Sequence, residues 1–117
     1  MSSTETDCWN HGAATIAGPG VVLVDFWASW CDVCQATSLL ADDLAERYRG
    51  RIRAVRVDVD RDPVLAARYH VQAVPTLALL EDGEVAEQFV GFVPRERVRE
   101  AIEWLLQRQR ERTHPTR

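Results

Sequence analysis

Cys31 and Cys34 are the residues of this 117-residue chain whose type and spacing point most directly to chemistry. They stand in C-x-x-C spacing at the end of Val24-Asp25-Phe26-Trp27-Ala28-Ser29-Trp30-Cys31-Asp32-Val33-Cys34. Positions three apart share a helix face, so two sulfurs at this spacing can close a small disulfide ring. The apolar run before them reads as a buried strand, and the pattern after them as a helix that opens at the cysteines. Free N–H groups and the positive end of a helix dipole stabilise a thiolate at such a place and lower its pKa. Cys31 is then the attacking sulfur and Cys34 the resolving one. The same spacing also holds half of a zinc site, and Cys8-x-x-His11 would supply the other half. Spacing alone leaves both chemistries open.

Asp25 is the second residue with chemical promise. An acid inside Val-Val-Leu-Val-Asp-Phe-Trp loses hydration, which raises its pKa toward neutrality. A carboxyl group poised there can accept a proton from a thiol.

The elements that must position these groups follow from the pattern. Residues 21–27 are a near-continuous, valine-rich apolar run, suited to a central strand buried on both faces. From Cys31 to about Tyr48 the period turns helical, with Leu40, Leu44 and Tyr48 four apart and Gly50 closing the helix. Residues 52–59 alternate as a second strand. Pro63 opens a short helix over about 63–69. Residues 76–80 form a third strand, Asp82-Gly83 a hairpin turn, and 84–90 a fourth strand. Pro94 opens a last helix whose apolar stripe is Val98, Ala101, Ile102, Leu105 and Leu106. A weak helix is expected over residues 8–17, and loose ends over 1–7 and 110–117. The order β-α-β-α-β-β-α predicts one domain of the α/β class, with a core over about 20–108. Two βα units imply parallel strands, the hairpin adds an antiparallel pair, and helices cover both faces of the mixed sheet.

Composition narrows the function. At 46% hydrophobic and 27% charged residues, the chain is ordinary for a globular protein, and its net charge of −4 argues against nucleic-acid binding. No apolar run approaches the roughly 20 residues of a membrane span. Residues 1–7 are polar and acidic, unlike a signal peptide, so the expected location is the cytoplasm, where a C-x-x-C is more often catalytic or metal-binding than structural.

Taken in order, these motifs resemble the thioredoxin family over roughly residues 20–108. Val24-Asp25-Phe26-Trp27-Ala28 and Trp30-Cys31-x-x-Cys34 carry the resemblance, followed by Val57-Asp58-Val59-Asp60, Tyr69, Val74-Pro75-Thr76, Asp82-Gly83 and Val90-Gly91. It implies a thioredoxin fold with a central mixed sheet of four to five strands flanked by helices. It implies that Pro75 is a cis-proline facing the disulfide, with the Val74 backbone free to pair with a substrate peptide. It also implies that Asp25 is a buried carboxylate behind Cys34, that Trp30 shapes the surface around Cys31, and that Trp27 packs beneath the active-site loop. Gly91 and Phe92 would border the substrate groove. Three positions depart from the family pattern. Asp32-Val33 replaces the usual Gly-Pro, Leu39 the proline that kinks the active-site helix, and Arg56 the lysine near the buried acid.

The function these readings favour is a thiol–disulfide oxidoreductase, a cytoplasmic protein-disulfide reductase working through the Cys31–Cys34 couple. It would need no cofactor and no metal and act as a monomer on disulfide-containing proteins; the resemblance alone implies that an NADPH-dependent flavoprotein reductase recharges it. The alternatives are a thioredoxin-fold binding or chaperone module, and a zinc module using Cys8, His11, Cys31 and Cys34.

Overall fold

The computed structural model describes residues 16–113. Four strands are present among them: β1 (Val21–Trp27), β2 (Arg53–Asp58), β3 (Thr76–Glu81) and β4 (Glu84–Val90). Three helices join or follow them: α1 (Val33–Arg47), α2 (Pro63–Arg68) and α3 (Arg95–Thr113). The expected helix over 8–17 lies almost wholly outside the described residues; its last two, Ile16 and Ala17, are helical.

The sheet order is β2-β1-β3-β4, with β1 parallel to β2 and antiparallel to β3, and β3 antiparallel to β4. The first βα unit therefore gives a parallel pair, as expected, but the second does not. Six residues of α2 rise only about 9 Å, too little to return the chain along a strand of about 20 Å. The chain instead enters β3 at the end where β2 stops: Trp27 lies opposite Asp58, and Phe26 opposite Thr76.

Strand alternation divides the core in two. Val21, Leu23, Leu77 and Leu79 face Ala41, Leu44 and Ala45 of α1 and Val98, Ile102 and Leu105 of α3. Val22, Val24, Phe26, Val55 and Val57 face the other way, against Ile16, Leu65 and Tyr69. By the same period of two, Asp25 falls on the α1 side of β1. That placement decides which helix the buried acid meets.

Asp82 (φ 54°) and Gly83 (φ 88°) turn the β3–β4 hairpin with two left-handed residues, the type I′ geometry that Asp-Gly favours. A side chain at position 83 would also stand 2.8 Å from the Ala17 carbonyl oxygen. The C-terminal expectation needs correction, because residues 110–113 continue α3 rather than trailing loosely. Arg108 and Arg112 reach back to Glu81 at 3.3 and 3.2 Å, and Arg112 to Asp82 at 3.0 Å. Cations in a last helical turn also meet the negative end of the helix dipole.

Candidate active site

β1 delivers the chain to the top of the sheet, and Ala28, Ser29 and Trp30 carry it to Cys31. Helix α1 begins later than the cysteine spacing suggests, at Val33, with Asp32 as its N-cap. Asp32 is in the αR region and its side chain makes no capping bond. Cys31 thus sits just ahead of the helix and Cys34 in its first turn. The two are disulfide-bonded, with Cα atoms 5.3 Å apart. The backbone N–H that reaches the Cys31 sulfur is that of Cys34, donating to Sγ at 3.1 Å, not that of Val33. Cys31 is 9% exposed and Cys34 2%. The first sulfur borders the surface and the second is turned toward the sheet.

Behind Cys34 lies an array that the spacing of the cysteines did not announce. Ser38 and Asp42 follow Cys34 at intervals of four, so all three lie along one face of α1. Asp25 rises from β1 toward that face, fully buried. Its Oδ2 accepts a hydrogen bond from Ser38 Oγ at 2.7 Å and another from Arg56 Nε at 3.2 Å. Arg56, opposite Asp25 on β2, also donates to Asp42 Oδ1 at 2.7 Å. Asp25 Oδ1 is buried with no hydrogen-bond partner among the described residues. Burial pushes the Asp25 carboxyl above its ordinary range, and the Ser38 hydroxyl and the Arg56 guanidinium pull it back only in part. A pocket of about 270 Å³ runs along this array, lined by Trp27, Ala28, Cys31, Cys34, Ser38 and Arg56 among others.

The opposite rim is apolar. The Val74–Pro75 peptide is cis. Val74, Trp27 and Val59 pack against the cluster of Ala28, Cys31 and Cys34. The Gly91 N–H donates to the Pro75 carbonyl at 2.8 Å, which brings the end of β4 beside the cis-proline loop. Gly91 adopts φ 81°, and nothing lies within 4 Å of where a Cβ would stand. Trp30 is 67% exposed and donates its indole N–H to Asp60 Oδ2 at 2.8 Å. A smaller hollow of about 160 Å³ lies between Trp30, Val59 and the Val71–Val74 loop. Phe92 is 67% exposed, whereas Val93 is buried in the core cluster with Val98 of α3.

The structure therefore gathers Cys31, Cys34, Trp27, Val74 and Pro75 at one end of the sheet, with Asp25 beneath and Gly91, Trp30, Asp32 and Val33 at the surface. Cys8 and His11 lie outside the described residues. Among those residues no group of three or more His, Cys, Asp or Glu is placed to hold a metal. Ser38 and Asp42 were not singled out from the sequence. The available signal was their spacing of four and eight from Cys34, polar positions on the helix face that must turn toward the buried acid.

A cysteine pair at a strand-to-helix junction, opposite a cis-proline and above a buried carboxylate, is an arrangement to compare with known proteins. The thioredoxin family model matches residues 5–104. The chain belongs to the thioredoxin family. The thioredoxin of Staphylococcus saprophyticus is 43% identical over 84 residues, covering 72% of this chain and 81% of the relative. That of Staphylococcus aureus is 40% identical over 84 residues, with the same coverage of 72% and 81%. A mutant thioredoxin from Halobacterium salinarum superposes with a TM-score of 0.74 at 32% identity, covering 91% of this chain and 96% of that one. The chain is accordingly a thiol–disulfide oxidoreductase. Thioredoxins act on disulfide-containing proteins through two redox-active cysteines, without a further cofactor.

Proposed function

We propose that the chain is a single-domain, monomeric protein-disulfide reductase in which Cys31 attacks and Cys34 resolves. The observation that carries this reading is the asymmetry of the two sulfurs. Cys31 borders the surface beside an apolar rim and receives the Cys34 N–H, while Cys34 is turned inward, one helical turn from the Ser38 that holds Asp25.

The steps follow from that asymmetry. The Cys31 thiolate attacks a substrate disulfide, and one substrate sulfur leaves as a thiolate. Hydrogen bonding from the Cys34 N–H favours negative charge on the attacking sulfur. The substrate chain lies in the hollow between Trp30 and the Val71–Val74 loop, pairing with the Val74 backbone, and Gly91 leaves room for it. Cys34 then gives its proton to Asp25 and attacks the Cys31 sulfur of the mixed disulfide. The second substrate sulfur leaves, and Cys31–Cys34 is left oxidised, as in the structure.

Trp27 supports the loop from beneath, and Asp32 and Val33 set the charge and shape of its outer surface. The oxidised pair is recharged by an NADPH-dependent flavoprotein reductase. The setting this chemistry fits is the cytoplasm, whose thiol systems keep such pairs reduced. Among the described residues no helix is long and apolar enough to cross a membrane.

Two measurements test the direction of flow. The protein should accelerate insulin-disulfide reduction by dithiothreitol. Equilibration with glutathione, read by tryptophan fluorescence, should give a potential near the roughly −270 mV of thioredoxin. A value above about −200 mV would instead fit an oxidase or isomerase.

A further inference from the structure

Asp25 is held asymmetrically. Both donors that reach it go to Oδ2, and Oδ1 is left buried and unpartnered among the described residues. The two donors are not equivalent. Arg56 approaches through Nε at 3.2 Å while its terminal nitrogen is engaged by Asp42 at 2.7 Å, and its side chain is 30% exposed. Ser38 approaches at 2.7 Å from the helix directly above. A serine hydroxyl has one hydrogen to donate, and inside a helix it often returns it to the carbonyl four residues back. That carbonyl belongs to Cys34. Here the hydrogen is committed across the gap to β1 instead, one helical turn from the resolving sulfur.

We propose that Ser38 is a positioning residue of the exchange reaction: its hydroxyl fixes the Asp25 carboxylate by Oδ2, so that Oδ1 is the atom that takes the proton of Cys34. This rests on the reading above, in which Asp25 serves the resolving step. The proton passes from Cys34 Sγ to Asp25 Oδ1; the freed sulfur electrons form the bond to Cys31; the Cys31–substrate bond breaks, and its electron pair leaves with the substrate thiolate.

Ser38 also bears on the pH range of the step. The charged groups acting on Asp25 are Asp42 from α1 and Arg56 from β2, with Cys34 one helical turn before Ser38 on α1; β3 presents apolar Leu77 beside it. A donor favours the ionised carboxylate, and among the influences that lower the Asp25 pKa the Ser38 bond is the largest. Without it the acid would stay protonated to higher pH, and fewer molecules would hold a usable base.

Rapid mixing of the reduced protein, carrying Cys8→Ser to remove the third thiol, with one equivalent of dithiobis(nitrobenzoate) separates the two steps. The first nitrothiobenzoate released reports attack by Cys31, and the second reports resolution by Cys34. In Ser38→Ala the first phase should match wild type. The second should slow at every pH, because the carboxylate is no longer fixed, and most at acid pH, by about fivefold, where the loss of one hydrogen bond also leaves more of the acid protonated. Ser38→Thr, which keeps the hydroxyl, should restore the wild-type profile. In an Asp25→Asn background Ser38→Ala should add nothing, because the two act as one unit. An unchanged second phase, a slowing that Ser38→Thr does not relieve, or additive effects in the double variant would each overturn the proposal. A wild-type protein with no second phase would overturn the underlying reading, and the proposal with it.

Discussion

Two aspartates flank the cysteine pair, and their surroundings have little in common. Asp25 is fully buried, takes two hydrogen bonds through one oxygen, and has its carboxyl pushed above the ordinary range by burial. Asp32 is exposed at the start of α1 and makes no capping bond. Each carries the same functional group within a few residues of a reactive sulfur in space or sequence. The difference lies in the dielectric and in the partners. Charge interactions that water and salt reduce to about 1 kcal/mol at the surface are screened much less inside. The buried side of the pair should therefore control the rate of exchange, and the exposed side should only adjust its equilibrium.

The cysteines themselves give the largest expected effect. Cys34→Ser should leave attack intact and arrest turnover at a mixed disulfide on Cys31, detectable as a stable adduct by mass spectrometry. An adduct that still turned over would remove the inner sulfur from the reaction.

Asp25→Ala comes next. It should slow resolution by roughly 100-fold, the lower range for loss of a general base. It should also stabilise the fold at neutral pH by about 1–3 kcal/mol, the desolvation cost of the buried acid. Arg56 is not stranded by this change, because Asp42 still holds it at 2.7 Å. The pH dependence has a definite sign. The folded-state pKa of Asp25 is raised above 3.8, so the native protein keeps a proton that the unfolded chain has released. Wild-type stability therefore falls as pH rises from about 3.8 through the folded value, and the alanine variant lacks that loss. Urea titrations of both proteins across that window would show the curves diverging as pH rises. A variant both less stable and fully active would make Asp25 a packing residue.

Asp32→Asn should act on the equilibrium and much less on the rate. Removing a negative charge beside the Cys31 thiolate stabilises the reduced form, shifting the pair toward oxidising potentials by at most about 20 mV. A shift of 60 mV or more, at ~30 mV per 1.4 kcal/mol, would mean that the exposed side is as weakly screened as the buried one. The smallest expected effect is that of Cys8→Ser, which should leave turnover unchanged. A lost activity would bring in a third redox centre or a metal ligand.

Much of this arrangement was legible in the sequence, because its parts have strong local signatures. The valine-rich run with one acid, the four-residue period of α1, Pro63, Asp82-Gly83 and the stripe of α3 each correspond to an element in place. The antiparallel entry of β3 was not legible in the same way. It depends on the length of α2 against the length of a strand, a tertiary constraint that a βαβ pattern does not state. The continuation of α3 to Thr113 was hidden for a related reason. Charged residues near a terminus look frayed unless Glu81 and Asp82 are known to wait opposite Arg108 and Arg112. At the site, Cys31, Cys34 and Asp25 stood out by type. Ser38 and Asp42 did not, since a serine and an aspartate on a helix ordinarily mark its solvated face. Only the β1 alternation, which aims Asp25 at α1, gives them something to meet.

The division of labour between an outer attacking sulfur and an inner resolving one is tested most directly on the unmodified, reduced protein. It is treated near neutral pH with an alkylating reagent in limiting amount, and the labelled cysteines are mapped by mass spectrometry. Cys31, bordering the surface with the Cys34 N–H on its sulfur, should carry nearly all of the early label among the two site cysteines. Preferential labelling of Cys34 would contradict the assignment.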